Sequence, residues 1–150
     1  MIFASMYSNI KVIIMEVLKI VVICDDNKWN ELFVEQISRC EFLEVAKIVT
    51  EYKDLDEVIA KIAPEILVAD LDLLKVTGFS YYYLYDRITS WEPKFPFVMA
   101  IGDENHREIN KGIMRYGIDF WNNKSPDEGS AADVSRILGD VAPLLAEAKN

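Results

Sequence analysis

Apolar residues along this chain alternate between two spacings. Leu18–Cys24 is a short, nearly continuous apolar run rich in β-branched residues, which predicts a strand buried on both faces. Trp29, Leu32, Phe33 and Ile37 then recur at helical intervals, and Val45–Thr50 predicts a second strand. Leu55, Val58, Ile59 and Ile62 follow the i, i+3, i+4, i+7 pattern of a helix. Asp54 with Glu57 three residues later has the spacing of a capping box at its start, and Pro64 stops it. Glu65–Asp70 predicts a third strand. Gly78 is expected to open a helix with Tyr81, Leu84, Tyr85 and Ile88 on its inner face, and Phe97–Ile101 to form a fourth strand. Ile109, Gly112, Ile113 and Tyr116 mark a further helix closed by Gly117, followed by a fifth strand over Ile118–Asn122. Ser130 is expected to cap a last helix that carries Val134, Ile137, Leu138 and Val141 and ends near Pro143.

Five strand–helix units in this order, joined by right-handed crossovers, predict an α/β fold: a doubly wound, five-stranded parallel sheet of order 2-1-3-4-5 with five helices, flavodoxin-like. Residues 16–150 are read as one domain with a sizeable core, and residues 1–15 as an N-terminal extension of unknown structure. Residues 1–14 carry no basic segment of the kind that starts a signal peptide; Met15 could be an alternative start, or the extension could add a strand.

Composition narrows the function classes. Half the chain is hydrophobic (51%) and 27% is charged, as in an ordinary globular protein. The formal net charge of −9 should repel nucleic acid and anionic membranes, and no basic recognition helix is visible. No apolar run reaches the ~18 residues of a membrane span. Cys24 and Cys40 read as reduced thiols of a cytoplasmic protein. His106 is the sole histidine, which leaves no Cys/His metal pattern and reads as a surface residue.

The predicted topology changes the meaning of four charged residues. Asp25 and Asp26 follow the first strand, Asp70 ends the third and Lys124 follows the fifth. The C-terminal ends of parallel strands converge on one crevice, so these side chains should meet there. Three acids and a lysine suit a divalent cation and a phosphoryl group. By itself an Asp-Asp pair would be an ordinary solvated loop or helix cap.

With these residues placed, residues 16–142 resemble the CheY-like receiver domain of two-component response regulators. The acidic pair lies 44 residues before Asp70, Gly78 lies eight after it, and Lys124 lies seven after Gly117, all as in that family. The segment Pro64-Glu65-Ile66-Leu67-Val68-Ala69-Asp70 is similar to its phosphoacceptor strand. The start Asp25-Asp26-Asn27 is closest in flavour to the receiver of the sporulation master regulator of spore-forming bacteria. The resemblance implies phosphorylation of Asp70 by a histidine kinase or a phosphotransfer protein. It implies that Asp26 and Asp70 ligate Mg²⁺ (or Mn²⁺), with Asp25 acting through water and the Asp72 carbonyl completing the set. Lys124 would neutralise charge on the transferring group. Asp72 and Glu104 occupy positions that tune autodephosphorylation in the family, though a merely solvated role is equally open to them.

The chain departs from the family pattern in three places. Gly102 stands where a switch Ser or Thr is expected, and Trp121, at the aromatic switch position, therefore lacks its usual hydroxyl partner. Ser125 follows Lys124, with the customary proline displaced to Pro126. Leu74 stands where a proline is common. The alternative is a phosphorylation-independent pseudo-receiver that acts as a dimerisation or binding module. The aromatic residues Phe79, Tyr81, Tyr82, Tyr83, Tyr85 and Trp91 read either as half-buried core, with Tyr81 and Tyr85 inward and Tyr83 and Phe79 off the stripe, or as a protein-binding or homodimer patch. Receivers of the family commonly dimerise instead through the region that holds Gly112, Ile113 and Trp121. A remote alternative is a haloacid-dehalogenase-type phosphatase, from Asp70-Leu71-Asp72 and Gly102-Asp103, but Arg107 breaks the second motif of that family.

Overall fold

The computed structural model describes residues 16–91, 96–103, 117–124 and 128–149. Its elements are β1 (Leu18–Ile23), α1 (Asn27–Ser38), β2 (Leu43–Val49), a 3₁₀ turn (Tyr52–Asp54), α2 (Leu55–Ile62), β3 (Ile66–Asp70), α3 (Leu71–Val76), α4 (Tyr81–Ser90), β4 (Phe97–Gly102), β5 (Phe120–Asn123) and α5 (Glu128–Lys149). All strand pairs are parallel and the order is β2-β1-β3-β4-β5, as the alternating pattern predicts.

Apart from the exposed Lys19 and the terminal Asp70, β1, β3 and β4 carry no polar side chains, because the sheet is covered on both faces. Alternate residues feed two cores. Ile20, Val22, Val68, Met99 and Ile101 pack with Trp29, Phe33, Val134 and Leu138 of α1 and α5. Val21, Ile23, Leu67, Val98 and Ala100 pack with Leu55, Ile59, Leu74, Leu84 and Ile88 on the opposite side. Each fully buried Leu, Ile or Phe in these layers contributes about 1.5–3 kcal/mol. The pairing of β1 with β2 shifts by one residue between Ile20 and Val21, so that Ala46 is bulged out of the edge strand.

Several local expectations are corrected. Gly78 does not open a helix; it closes α3, a short helix that follows β3 directly. Its φ of +85° lies in the left-handed region that favours glycine. The Phe79 amide donates to the Leu74 carbonyl and the Gly78 amide to that of Lys75, the paired bonds of a Schellman motif. α4 starts instead at Ser80, whose hydroxyl accepts the Tyr83 amide. No capping box forms at Asp54: its side chain makes no cap bond, because the 3₁₀ turn already leads the backbone into α2. α2 ends through Ala63, a non-glycine residue at φ +50°, immediately before the buried Pro64.

Ser130 is not a cap either, because α5 begins earlier and Ser130 lies inside it, 3% exposed. α5 also runs through Pro143 to Lys149. The amide that Pro143 lacks would have bonded the carbonyl of Gly139. The aromatic stripe on α4 differs from its prediction as well. Leu84 and Ile88 are buried and Tyr85 is 36% exposed. Tyr83 turns toward the body of the protein and stacks on Phe79 at 4.2 Å. Glu104, His106, Ile109, Gly112, Ile113, Ser125, Pro126 and the 1–15 extension lie outside the described residues.

Candidate functional site

The C-terminal ends of β1, β3, β4 and β5 bring Asp26, Asp70, Asp72 and Lys124 together. Lys124 Nζ donates to Asp70 Oδ2 at 2.9 Å. The same ammonium lies 3.8 Å from Asp72 Oδ2 and 3.9 Å from Asp26 Oδ2. One cation therefore stands among three carboxylates drawn from two separate stretches of chain. Asp25 is exposed in the turn between β1 and α1.

Backbone geometry fixes each carboxylate. Asp26 is the N-cap of α1 and accepts the Trp29 amide at 3.1 Å, so the helix-cap reading of this residue is also correct. Asp70 is the N-cap of α3: its Oδ1 accepts the Asp72 amide at 2.9 Å. Asp72 Oδ1 accepts the Asp103 amide at 3.1 Å, which ties the start of α3 to the end of β4. Gly102 is buried at that end, and its carbonyl accepts the Lys124 amide at 2.6 Å. Trp121 is half-buried on β5, packed against the core layer that includes Leu84 and Ile88.

Two further neighbours of Asp70 were not singled out by sequence. Cys24 donates its thiol to Asp70 Oδ2 at 3.4 Å. Tyr52, 1% exposed, donates its hydroxyl to the Asp70 carbonyl at 2.8 Å. Cys24 reads as an ordinary core residue within an apolar run. The only signal for Tyr52 was its place just beyond the second strand, at the same sheet edge.

Burial governs the electrostatics. The Asp70 side chain is fully enclosed, and this pushes its carboxyl above the ordinary carboxylate range although Lys124 opposes the shift. Burial also acts against the charged form of Lys124, but the hydrogen bond and charge of Asp70 outweigh it and raise the ammonium pKa. Burial, reinforced by Asp70, pushes the Cys24 thiol up to about 12, so it stays a protonated donor at neutral pH. Tyr52 is raised well above its ordinary value, again chiefly by burial.

An all-oxygen, acidic donor set suits a hard cation such as Mg²⁺. Among the described residues, no three carboxylates stand close enough as placed to hold an ion. The Lys124 ammonium fills the centre of the group. By donor type alone, Asp25, Asp26, Asp70 and Asp72 are the residues that could hold such a cation.

Comparison with solved structures places this architecture. The response regulator domain of CheB from Thermotoga maritima superposes with a TM-score of 0.69 at 12% identity, over 88% of this chain and 98% of that one. The non-phosphorylated receiver domain of the stress response regulator RcsB from Escherichia coli gives 0.68 at 15% identity, over 84% and 93%. The signal receiver domain of the response regulator NarL from Mycobacterium tuberculosis gives 0.64 at 17% identity, over 83% and 98%. The chain thus has the fold of response-regulator receiver domains. No protein-family model matches the sequence. No curated protein matches it either.

Proposed function

We propose that this chain is a two-component receiver domain that accepts a phosphoryl group on Asp70. The observation that carries the reading is the 2.9 Å pair of Lys124 Nζ with Asp70 Oδ2, at the C-terminal edge of a sheet with receiver topology. The donor would be a phosphohistidine of a histidine kinase or a phosphotransfer protein. An Asp70 oxygen attacks phosphorus in line; the new O–P bond makes an acyl phosphate as the P–N bond breaks and its electron pair returns to the imidazole.

Asp70 is oriented before any donor arrives, since Asp72 N–H holds one oxygen while Lys124 and Cys24 hold the other. Lys124 neutralises charge on the transferring group. Asp26, Asp70 and the Asp72 carbonyl would hold Mg²⁺ (or Mn²⁺), with Asp25 acting through water. Bound there, the cation supplies charge stabilisation to the phosphoryl oxygens. The side chains of Asp72 and Glu104 are proposed to tune loss of the phosphoryl group. Signal would pass by protein contacts in the cytoplasm, with a second copy of the chain as one partner. The sporulation reading rests on Asp25-Asp26-Asn27 alone.

Gly102 favours a second reading. The residue at the end of β4 brings no hydroxyl toward the site, as a phosphorylation-independent binding module would allow. Intact-mass measurement after incubation with acetyl phosphate and Mg²⁺ separates the two. The receiver reading expects a gain of about 80 Da in the wild type that is absent in Asp70→Ala. No gain in the wild type, with Mg²⁺ binding confirmed, favours the binding module.

A further inference from the structure

Trp29 connects the acidic turn to the lysine strand through a chain of hydrogen bonds. It is 2% exposed and stacks on Phe33 at a centroid distance of 5.0 Å. Both of its N–H groups are engaged. The backbone amide is held by Asp26 Oδ1 at 3.1 Å, and the indole Nε1–H donates to Ser130 Oγ at 3.1 Å. Ser130 in turn donates its hydroxyl to the Asn123 carbonyl at 2.8 Å. An indole N–H only donates and a carbonyl only accepts, so the Ser130 hydroxyl has one consistent orientation.

The Asn123 carbonyl belongs to the same peptide unit as the Lys124 amide. That amide donates to the Gly102 carbonyl at 2.6 Å. The peptide from which Lys124 projects is therefore clamped at both ends, by β4 on one side and by Ser130 of α5 on the other. A lysine side chain has many rotamers, and the freedom of its own peptide would add to them. Fixing the peptide narrows where the ammonium can go.

We infer that Ser130 and Trp29 are positioning residues for Lys124: the buried relay from indole to hydroxyl to carbonyl sets the backbone that aims the ammonium at Asp70. The inference rests on the receiver reading for its catalytic consequence. Its structural consequence stands apart, because it concerns only the Asn123–Lys124 peptide. Ser130→Ala removes the hydroxyl and little volume. Trp29→Phe removes the indole N–H and keeps an aromatic ring. The two act on one chain of bonds, so their effects should not add.

The test has two arms. In the first, amide hydrogen exchange at Lys124 is compared between the wild type and Ser130→Ala. The relay predicts faster exchange there, on the order of tenfold, with β1 and β3 amides unchanged. Unchanged exchange at Lys124, or faster exchange spread over the whole sheet, would overturn it. In the second, phosphorylation by acetyl phosphate with Mg²⁺ is timed. Ser130→Ala should slow it by on the order of tenfold, Trp29→Phe should do likewise, and the double variant should be no slower than the slower single one. In a Lys124→Ala background Ser130→Ala should change nothing further. An equal loss in that background would show that Ser130 acts elsewhere and would refute the assignment. Failure of the wild type to take phosphate would count against the receiver reading, while the exchange arm still decides the role of the relay.

Discussion

Lys124 and Asp70 lie 54 residues apart in sequence and 2.9 Å apart in space, and their pairing is the centre of the site. The Asp70 side chain is 1% exposed and that of Lys124 15%, so water does little to screen either charge. Removing one partner of such a pair leaves the other buried and uncompensated.

Lys124→Met should accordingly destabilise the protein by roughly 2–4 kcal/mol at pH 7. Asp70 has its pKa raised in the folded state, chiefly by burial. The folded protein therefore holds that proton more tightly than the unfolded chain does. The stability linked to the Asp70 proton is fully present below the unfolded value of about 4 and is lost as pH rises through the folded value. In Lys124→Met the folded value should rise further, so the deficit against wild type should shrink as pH is lowered and Asp70 protonates. Urea melts at pH 7 and near pH 4 check this; a deficit that is the same at both would mean that lost packing, not charge, is responsible.

The two cysteines should differ in reactivity. Cys24 is buried and its thiol is pushed up to about 12, whereas Cys40 is half-buried. Because the thiolate is the reactive species, native protein at pH 8 should take up one equivalent of iodoacetamide at Cys40 and none at Cys24. The raised Cys24 pKa also means that the stability linked to its proton is lost as pH rises from about 9 toward about 12. Peptide mass mapping reads the labelling, and modification of Cys24 in folded protein would contradict the packing described around Asp70.

On the other face of the sheet, Asp56 of α2 binds Arg87 of α4 and Trp91 just beyond its end. Its carboxylate accepts the Trp91 indole at 2.8 Å and pairs with Arg87 at 2.9 Å. The Arg87 pair is partly solvated and adds little; the indole bond contributes about 1 kcal/mol. Asp56→Ala should therefore cost about 1–2 kcal/mol by denaturant titration. Trp91→Phe should add little to that loss when combined with it, since both remove the same bond.

Gly78→Ala should cost about 1 kcal/mol, although nothing lies within 4 Å of where its Cβ would stand. The cost comes from the left-handed backbone at φ +85° and not from crowding. If thermal melts show Gly78→Ala unchanged or stabilised, α3 does not end in the Schellman turn described.

The sheet order and the meeting of Asp26, Asp70 and Lys124 at its edge were legible because strands buried on both faces leave nearly unbroken apolar runs, and because strand ends must converge; Asp25, expected with them, lies exposed in the turn. What was missed follows from the same physics. α3 carries three buried leucines in six residues, too short a stretch for a helical period to stand out from the strand before it. Ser130 has the residue type of a cap, yet its hydroxyl is used by Trp29 and Asn123, contacts that only tertiary structure creates. Pro143 looked like a stop, but a proline within an exposed part of a long helix costs one hydrogen bond that packing elsewhere along α5 outweighs. Cys24 and Tyr52 carry no pattern of their own; their part in the site appears only when β1 and the turn after β2 close on Asp70.

Locating the phosphoryl group chemically tests the central claim most directly. Protein treated with acetyl phosphate and Mg²⁺ is reduced with borohydride, which converts an aspartyl phosphate to homoserine, and is then mapped by peptide mass spectrometry. Homoserine at position 70, dependent on phosphodonor and diminished in Lys124→Ala, is the predicted result. Homoserine at another aspartate, or at none after Mg²⁺ binding has been established, would contradict the assignment of Asp70 as the acceptor.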